Sequence, residues 1–378
     1  MENLIYFILV AIVAFASTAF SIPQIVRIAI AKNLFDSPNS RRVNIKVVPT
    51  LGGIAIFIGF ILGTTIAGDG FSFFEIKYIF AALLIIFFAG IKDDLVTISP
   101  RTKLVALTAS ILIIALFANL NFNNFHGFMG INQIPPIPGI ILTVFIGIVI
   151  INSMNLIDGI DGLASALAIQ ISSILGIWFA LVEQFDYALI SFSLAGSCLA
   201  FFIFNVFGNR NKIFMGDTGS LILGAIIFIL AAKFNQVTAI HTGDFAISSA
   251  PAVLIGVLAY PLFDVLRVFV LRVFVIKKSP FKPDKNHIHH RLLAFGMNHL
   301  QATTTIFLVN SLIIIGTLVL STYLNVIQLT VVILSFTILI STLLELVILY
   351  SRKINPNDEF QNLFLPRYLV NAVYQKAL

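Results

Sequence analysis

The sequence predicts an all-α polytopic membrane protein of about eleven transmembrane helices, with its N-terminus outside and its C-terminus in the cytoplasm. Three observations predict it. Of the 378 residues, 59% are apolar and only 11% charged, whereas a soluble domain carries roughly a quarter charged residues. The apolar residues come in runs near the ~20 that a helix needs to cross a bilayer core. The few Lys and Arg gather in alternate loops.

Eleven runs qualify: near 3–21, 48–67, 77–91, 102–120, 138–152, 163–182, 187–207, 219–233, 246–275, 302–323 and 327–350. Those near 77–91, 138–152 and 219–233 are short, so their ends lie several residues from these bounds. The first run lacks a basic leader and a small-residue cleavage site, and so reads as a retained helix rather than a signal peptide. No second domain, linker or short repeat interrupts the series, which makes 1–350 a single transmembrane domain and 351–378 a tail.

Orientation follows from charge. With helix-end residues assigned to the nearer side, 21 of the 23 Lys and Arg fall in the loop set 22–47, 92–101, 153–162, 208–218, 276–301 and 351–378, leaving Lys77 and Lys233 on the other. By the positive-inside rule the first set is cytoplasmic. The net charge of +6 then describes a membrane face near anionic headgroups, and gives no reason to expect nucleic acid as a partner. Cys198, alone in an apolar run, cannot form an internal disulfide and reads as a small core residue. The outward loop 121–137, rich in Asn and Pro, reads as an irregular cap in which His126 is solvated.

Five cytoplasmic segments carry unusual residues. "SPNSRRVNIKVVPTLGGIAIF" (37–57) joins a basic stretch with Lys46 to Pro49-Thr50 and the pair Gly52-Gly53 at a helix start. Glycines there admit a second backbone or a ligand, and a helix N-terminus favours an anion; lipid contact by the basic residues fits equally well. In "GIKDDLVTISPRTK" (90–103) the adjacent carboxylates Asp93 and Asp94 repel unless a cation or an array of donors compensates. A solvated helix end is the alternative account of the pair, and the lesser one.

In "NSMNLIDGIDGLA" (152–164), Asn152, Asn155, Asp158 and Asp161 recur every three residues, one polar stripe if the segment stays helical. The spacing of a Ca²⁺ loop is absent, and helix-to-helix hydrogen bonding is the structural rival. In "FNVFGNRNKIFMGDTGSLILG" (204–224), which begins beside Asn205, Asp217 stands with hydroxyls at a helix start, where it also suits a cap. In "KKSPFKPDKNHIHHRLLAFG" (277–296), His287, His289 and His290 lie among Lys277, Lys278, Lys282, Lys285 and Arg291. A His cluster suggests zinc, yet a basic neighbourhood opposes another dication and suits phosphate oxygens.

All five segments fall on one side by an orientation drawn from Lys and Arg alone. Carboxylates with basic and His groups at a membrane surface are what transfer of a phosphorylated group to a lipid needs. Mg²⁺ suits this best, with Mn²⁺ as a substitute, because it takes one or two carboxylates and shares its other positions with substrate phosphates.

These motifs resemble the polyprenyl-phosphate N-acetylhexosamine-1-phosphate transferases, from about residue 36 to residue 296. The matching pieces are "DSPNSRR" with "PTLGG", "DD" at 93–94, "NSMNLIDGIDGLA", "FMGDTGS" and "PDKNHIHHRL", in that order. The resemblance implies a Mg²⁺-dependent membrane enzyme of the cell inner membrane with a cytoplasmic active site. It implies transfer of HexNAc-1-phosphate from a UDP-N-acetylhexosamine to polyprenyl (undecaprenyl) phosphate with release of UMP, and leaves room for a homodimer. Asp217, with Asn155, would hold the metal. Asp93, Asp94, Asp158, Asp161, His287, His289 and His290 would be catalytic, and Asn152, Asn155, Asn205, Lys46, Thr50 and Arg291 would bind substrate. Two departures are Asn44, where relatives often have His, and a longer 205–217 segment.

The His-Ile-His-His pattern resembles the branch using UDP-GlcNAc; the muropeptide-transferring branch is the alternative. A CDP-alcohol phosphotransferase is a poorer match, since Ser165 stands where its pattern needs Arg. A transporter would place intramembrane carboxylates at the midplane of broken helices rather than at one surface. The orientation is tested with single cysteines replacing Asn124 or Asn357 in a Cys198→Ala background. An impermeant thiol reagent should reach them from opposite sides of the membrane, and labelling of both from one side overturns the topology.

Overall fold

The structure is a computed structural model that describes residues 2–34, 48–66, 74–277 and 286–351. Lys46 and the basic stretch before Val48, the lysines at 278, 282 and 285, and the tail beyond 351 lie outside the described residues. The chain divides into two compact units, Met1–Pro251 and Ala252–Leu378.

Every apolar run expected to span is helical. The first unit holds α1 (Glu2–Ala31), α2 (Gly52–Ile66), α3 (Ile76–Val96), α4 (Pro100–Leu116), α5 (Pro136–Ile157), α6 (Leu163–Leu181), α7 (Phe185–Phe207) and α8 (Gly216–Ile240). The second holds α10 (Ala259–Val270), α11 (Ile288–Ala294), α12 (His299–Leu320) and α13 (Val326–Ser351), preceded by α9 (Ala250–Val257) at the junction. Among the described residues seven helices are long and apolar enough to cross a membrane, or eight if the bent pair formed by α9 and α10 counts as one span. This is a multi-pass membrane protein.

Two local expectations are corrected. The loop 121–137 is not irregular: β1 (Asn124–Phe128) and β2 (Ile131–Gln133) pair antiparallel, Asn124 opposite Gln133. Gly127 and Gly130, both at φ +79°, let that hairpin turn. His126 is half-buried rather than solvated, its Nε2 lying 3.2 Å from the Asn235 carbonyl, and burial holds its pKa below the usual value. The run 246–275 is not one straight span either, because the chain bends by 79° between Val257 and Ala259, just ahead of Pro261, which has no N–H for a helical bond back to Val257 and whose ring crowds that carbonyl.

α8 is the axis of the first unit. Its apolar stretch is 89% buried inside the protein, against 28% for α1, and it packs against α2, α3 and α5. Glycines set how close those neighbours come. A Cβ on Gly53 would lie 2.1 Å from the Gly219 amide nitrogen, and one on Gly90 2.5 Å from Thr218 Cα. The segment before α2 also pairs with the segment before α8: Phe214 N donates to Pro49 O (2.8 Å), and Gly52 N and Gly53 N donate to Phe214 O and Met215 O (both 2.9 Å). Of the two partners allowed for Gly52-Gly53, a backbone or a ligand, the structure shows a backbone. Cys198 is fully buried.

Overpacking such a contact costs about 1–3 kcal/mol. Gly53→Ala should therefore lower the thermal midpoint of the detergent-solubilised protein by several degrees. Gly316→Ala, whose Cβ meets nothing within 4 Å, should leave it unchanged or raise it, Ala being the better helix former by up to ~1 kcal/mol. A scan of both variants checks the pair.

Candidate active site

The first four N–H groups of any α-helix lack intrahelical partners, and those of α8 start inside the protein. Met215, at the cap position, supplies no side-chain acceptor. Asp94 does so from α3. Its Oδ1 accepts from Asp217 N at 2.7 Å, and its Oδ2 from Thr218 N at 3.0 Å and Thr218 Oγ1 at 2.5 Å. The cap that Asp217 could also have supplied thus comes from another helix, and Asp217 is left to project outward. Gly216, at φ +72°, makes the turn; a Cβ there would meet the Thr50 carbonyl at 2.1 Å and both Asp94 carboxylate oxygens at 2.7 Å. Burial pushes the Asp94 pKa up to about 6 against the pull of its three donors, and the Asp217 charge pushes the same way as burial.

Asp93 meets other partners. Its Oδ1 accepts from Ile98 N at 2.8 Å, holding the turn that leads into α4, and its Oδ2 lies 3.1 Å from Lys103 Nζ. Ser99 caps α4 by accepting from Thr102 N, with Pro100 as first helical residue, and one turn later Lys103 reaches back. Lys103 Nζ also sits 2.7 Å from Asp217 Oδ1. One ammonium therefore ties Asp93 to the α8 carboxylate.

Asn155, in the last turn of α5, donates from Nδ2 to Asp217 Oδ1 (2.6 Å) and to Ser220 Oγ (2.8 Å). Ser220 itself donates to Gly216 O, which fixes the amide with its nitrogen toward Asp217. A metal shared by Asn155 and Asp217 requires the amide to turn over and present Oδ1. Asn152 donates within its own helix, to Ile148 O at 2.8 Å.

The polar stripe does not continue as a helix. α5 stops at Ile157, and Gly162, at φ +81°, turns the chain into α6, because Asp-Gly pairs favour turns over helix interiors. Asp158 and Asp161 consequently stand on a turn. Asp161 is held 2.6 Å from Lys212 Nζ. Asn205 is buried and its amide is committed to backbone at both ends, accepting from Gly162 N (2.6 Å) and donating to Ile213 O (2.9 Å); it brackets the Asp161 turn and the segment that carries Lys212. Asp158 has no hydrogen-bond donor among the described residues. Burial, and then the charges of Asp217, Asp94 and Asp161, push its pKa up to about 7.

Sequence reasoning missed Lys103 and Lys212, the cations that balance this cluster. Each sat within a quoted motif, but which carboxylate a lysine meets depends on helix packing. Oxygen donors dominate the site, and Asp217 is the most open of the ion-paired carboxylates, 34% exposed against 11% for Asp93 and 16% for Asp161. Among the described residues no three His, Cys, Asp or Glu side chains form an all-protein metal cage. A cation here would therefore rely on substrate oxygens for most of its shell, as Mg²⁺ does. The donor set fits that ion, and Asp158, undonated among three like charges, is the observation that calls for one.

The second unit carries the histidine cluster. His287 is buried, and His289 stacks on it at 5.5 Å between centroids with His290 4.3 Å beyond. Both ring nitrogens of the fully buried His289 lack a hydrogen-bond partner among the described residues. Burial depresses its pKa to about 3, the neighbouring His290 and His287 adding to this and Asp264 opposing it, so the ring is neutral. Arg291 is buried on α11. Asp264 and Arg267 of α10 were also missed, although two ionisable residues inside an apolar run are a legible signal. Asp264 is fully buried and accepts from His287 Nδ1 and Ile288 N, each at 2.9 Å, while Arg267 Nη1 donates to Asn286 O at 2.8 Å.

The sequence profile of glycosyl transferase family 4 matches residues 76–235. The chain is 32% identical to the probable undecaprenyl-phosphate N-acetylglucosaminyl 1-phosphate transferase of Bacillus subtilis (strain 168), over 84% of this chain and 86% of the relative. It is 31% identical to the decaprenyl-phosphate N-acetylglucosaminephosphotransferase of Mycolicibacterium smegmatis, over 82% and 80%. To the undecaprenyl-phosphate alpha-N-acetylglucosaminyl 1-phosphate transferase of Yersinia pestis it is 29% identical, over 76% and 77%.

The raised pKa of Asp158 fixes the sign of a pH effect. Between its ordinary value near 4 and its folded value about 7, the folded chain keeps a proton that the unfolded chain has lost, so stability falls as pH rises across that window. With divalent ions chelated, Asp158→Asn should raise the thermal midpoint most at about pH 8, the gain shrinking toward nothing near pH 4. A pH series of melting curves checks it.

Proposed function

The chain belongs to glycosyl transferase family 4, the polyprenyl-phosphate N-acetylhexosamine-1-phosphate transferases, and from that footing we propose that it transfers GlcNAc-1-phosphate from UDP-GlcNAc to undecaprenyl phosphate, releasing UMP. The observation that carries the reading is the group of five carboxylates, Asp93, Asp94, Asp158, Asp161 and Asp217, gathered round the start of α8, where Lys103 and Lys212 are the cations paired with them among the described residues. The GlcNAc donor is supported by the names of the relatives over a muramoyl-pentapeptide donor. The site faces the cytoplasm of the cell inner membrane, a reading supported by the Lys and Arg distribution.

Asp217 would be the principal ligand for Mg²⁺, with Asp158 beside it and Asn155 joining if its amide turned. The ion, when bound, neutralises diphosphate charge and steadies UMP as it leaves. The protein's own groups do the rest. A lipid phosphate monoester has its second pKa near ~6, so it is largely a ready nucleophile at neutral pH, and positioning is what it needs. Lys103 lies between Asp93 and Asp217, where it can meet an incoming phosphate and hold two anions in line for attack on the β-phosphorus. Asp94 is engaged by three donors and Asp93 by a backbone N–H and Lys103. A covalent phosphoryl-aspartate would have to break those contacts, which favours direct attack. His289, a neutral ring whose two nitrogens lack a partner among the described residues, suits sugar hydroxyls better than phosphate charge.

Purified protein with Mg²⁺ and undecaprenyl phosphate should release UMP from UDP-GlcNAc in preference to UDP-GalNAc and UDP-MurNAc-pentapeptide. Release from the muramoyl substrate alone would move the chain to the other branch. Asp217→Asn should nearly abolish turnover, since an amide lacks the charge that holds Mg²⁺, and His289→Ala should cost roughly 10²-fold in rate, as loss of one preorganised group often does. Normal turnover by Asp217→Asn at ordinary Mg²⁺ would remove that residue from the metal.

A further inference from the structure

We propose that Asp264 is a positioning residue for His287: it fixes the imidazole in the Nδ1–H tautomer and leaves Nε2 as the ring atom presented to substrate. The inference rests on the reading that His287 meets substrate, and it adds a residue that lies outside the motifs of the His segment.

Asp264 lies on α10 at 0% exposure, and its two oxygens divide their work. Oδ1 takes the backbone N–H of Ile288, the first residue of α11, and Oδ2 takes His287 Nδ1, both at 2.9 Å. An ionised carboxylate only accepts, so the hydrogen of the second contact sits on Nδ1. The same carboxylate therefore anchors the loop and sets the ring, as carboxylates behind functional histidines do. Arg267 completes the bracket one turn along α10 by donating to Asn286 O at 2.8 Å. His287 is thus held from the residue before it, from its own ring and from the residue after it. A buried carboxylate among apolar helices is costly unless its oxygens are met by donors, and here two directed N–H groups meet them. His289, stacked on His287 with only 13° between the planes, has no such carboxylate on its nitrogens among the described residues, so the two rings are not equivalent there: one is oriented by charge, the other by packing.

The discriminating variant is Asp264→Asn. Its single side-chain oxygen can still accept from Ile288 N, which keeps the anchor. Its NH₂ then faces Nδ1, which must become an acceptor, and the hydrogen moves to Nε2. The loop stays and the tautomer flips, a change that lowers rate without unfolding. In the full chain reconstituted in lipid nanodiscs, kcat for UMP release should fall about 10- to 100-fold, with KM for UDP-GlcNAc and the thermal midpoint little changed. In a His287→Ala background the same substitution should cost nothing further. Histidine-selective ¹⁵N spectra give a readout independent of turnover: one Nδ1 should be protonated in the wild type and lose its proton in Asp264→Asn, and that signal should be missing from His287→Ala. An unprotonated His287 Nδ1 in the wild type overturns the proposal, and so do losses that multiply in the double variant. If Asp264→Asn cannot be recovered folded, the wild-type spectrum alone decides. A wild type that releases no UMP defeats the functional reading, while the spectra still decide the tautomer.

Discussion

The start of α8 is the constraint on which the first unit depends. A helix enclosed on nearly every side cannot leave its first N–H groups to water, and an unmet buried donor costs about 1–3 kcal/mol. Asp94 meets them, so the end of α3 must lie against the start of α8. That in turn demands a neighbour without a side chain at Gly90 and Gly53 and a left-handed turn at Gly216. The conformation of Asp217 is a by-product: with the cap supplied by another helix, its carboxylate is free to face the open side. Helix capping and the construction of an acidic site are here one event.

Bringing α3, α5 and α8 together also concentrates negative charge. Lys103 spans two of the carboxylates and Lys212 neutralises a third, while Asp158 is left facing the surplus. A cation would relieve that imbalance, and once held it would draw in the phosphates that the carboxylates alone repel. Asn205 shows the complementary investment in rigidity. Its buried amide joins Gly162 to Ile213, so the turn carrying Asp161 and the segment carrying Lys212 are fixed by backbone contacts, and their ion pair need not supply that order.

The second unit repeats the device with different partners. Asp264 accepts from the first residue of a short helix as Asp94 accepts from the start of a long one, and in each case the carboxylate also governs a side chain of chemical interest. Both carboxylates lie on largely apolar helices, where an ionisable group persists only if donors converge on it.

Composition and the Lys and Arg distribution by themselves determined that this is a multi-pass helical membrane protein, because apolar runs of bilayer length have few other uses. The motifs were also enough to gather most of the site: Asp93, Asp94, Asn155, Asp158, Asp161 and Asp217 needed only their residue types and spacing to be singled out. Their roles were not legible. Whether Asp94 or Asp217 caps α8, whether 152–161 remains a helix, and which lysine answers which carboxylate are decided by contacts between residues 50 to more than 120 positions apart, such as Asp94 with Thr218 or Lys212 with Asp161, and no local pattern encodes those. The hairpin at 124–133 was missed because its pairing depends on two left-handed glycines in a segment whose Asn and Pro suggested loop. Asp264 was passed over inside an apolar run, where only the tertiary structure brings His287 and Ile288 to its two oxygens.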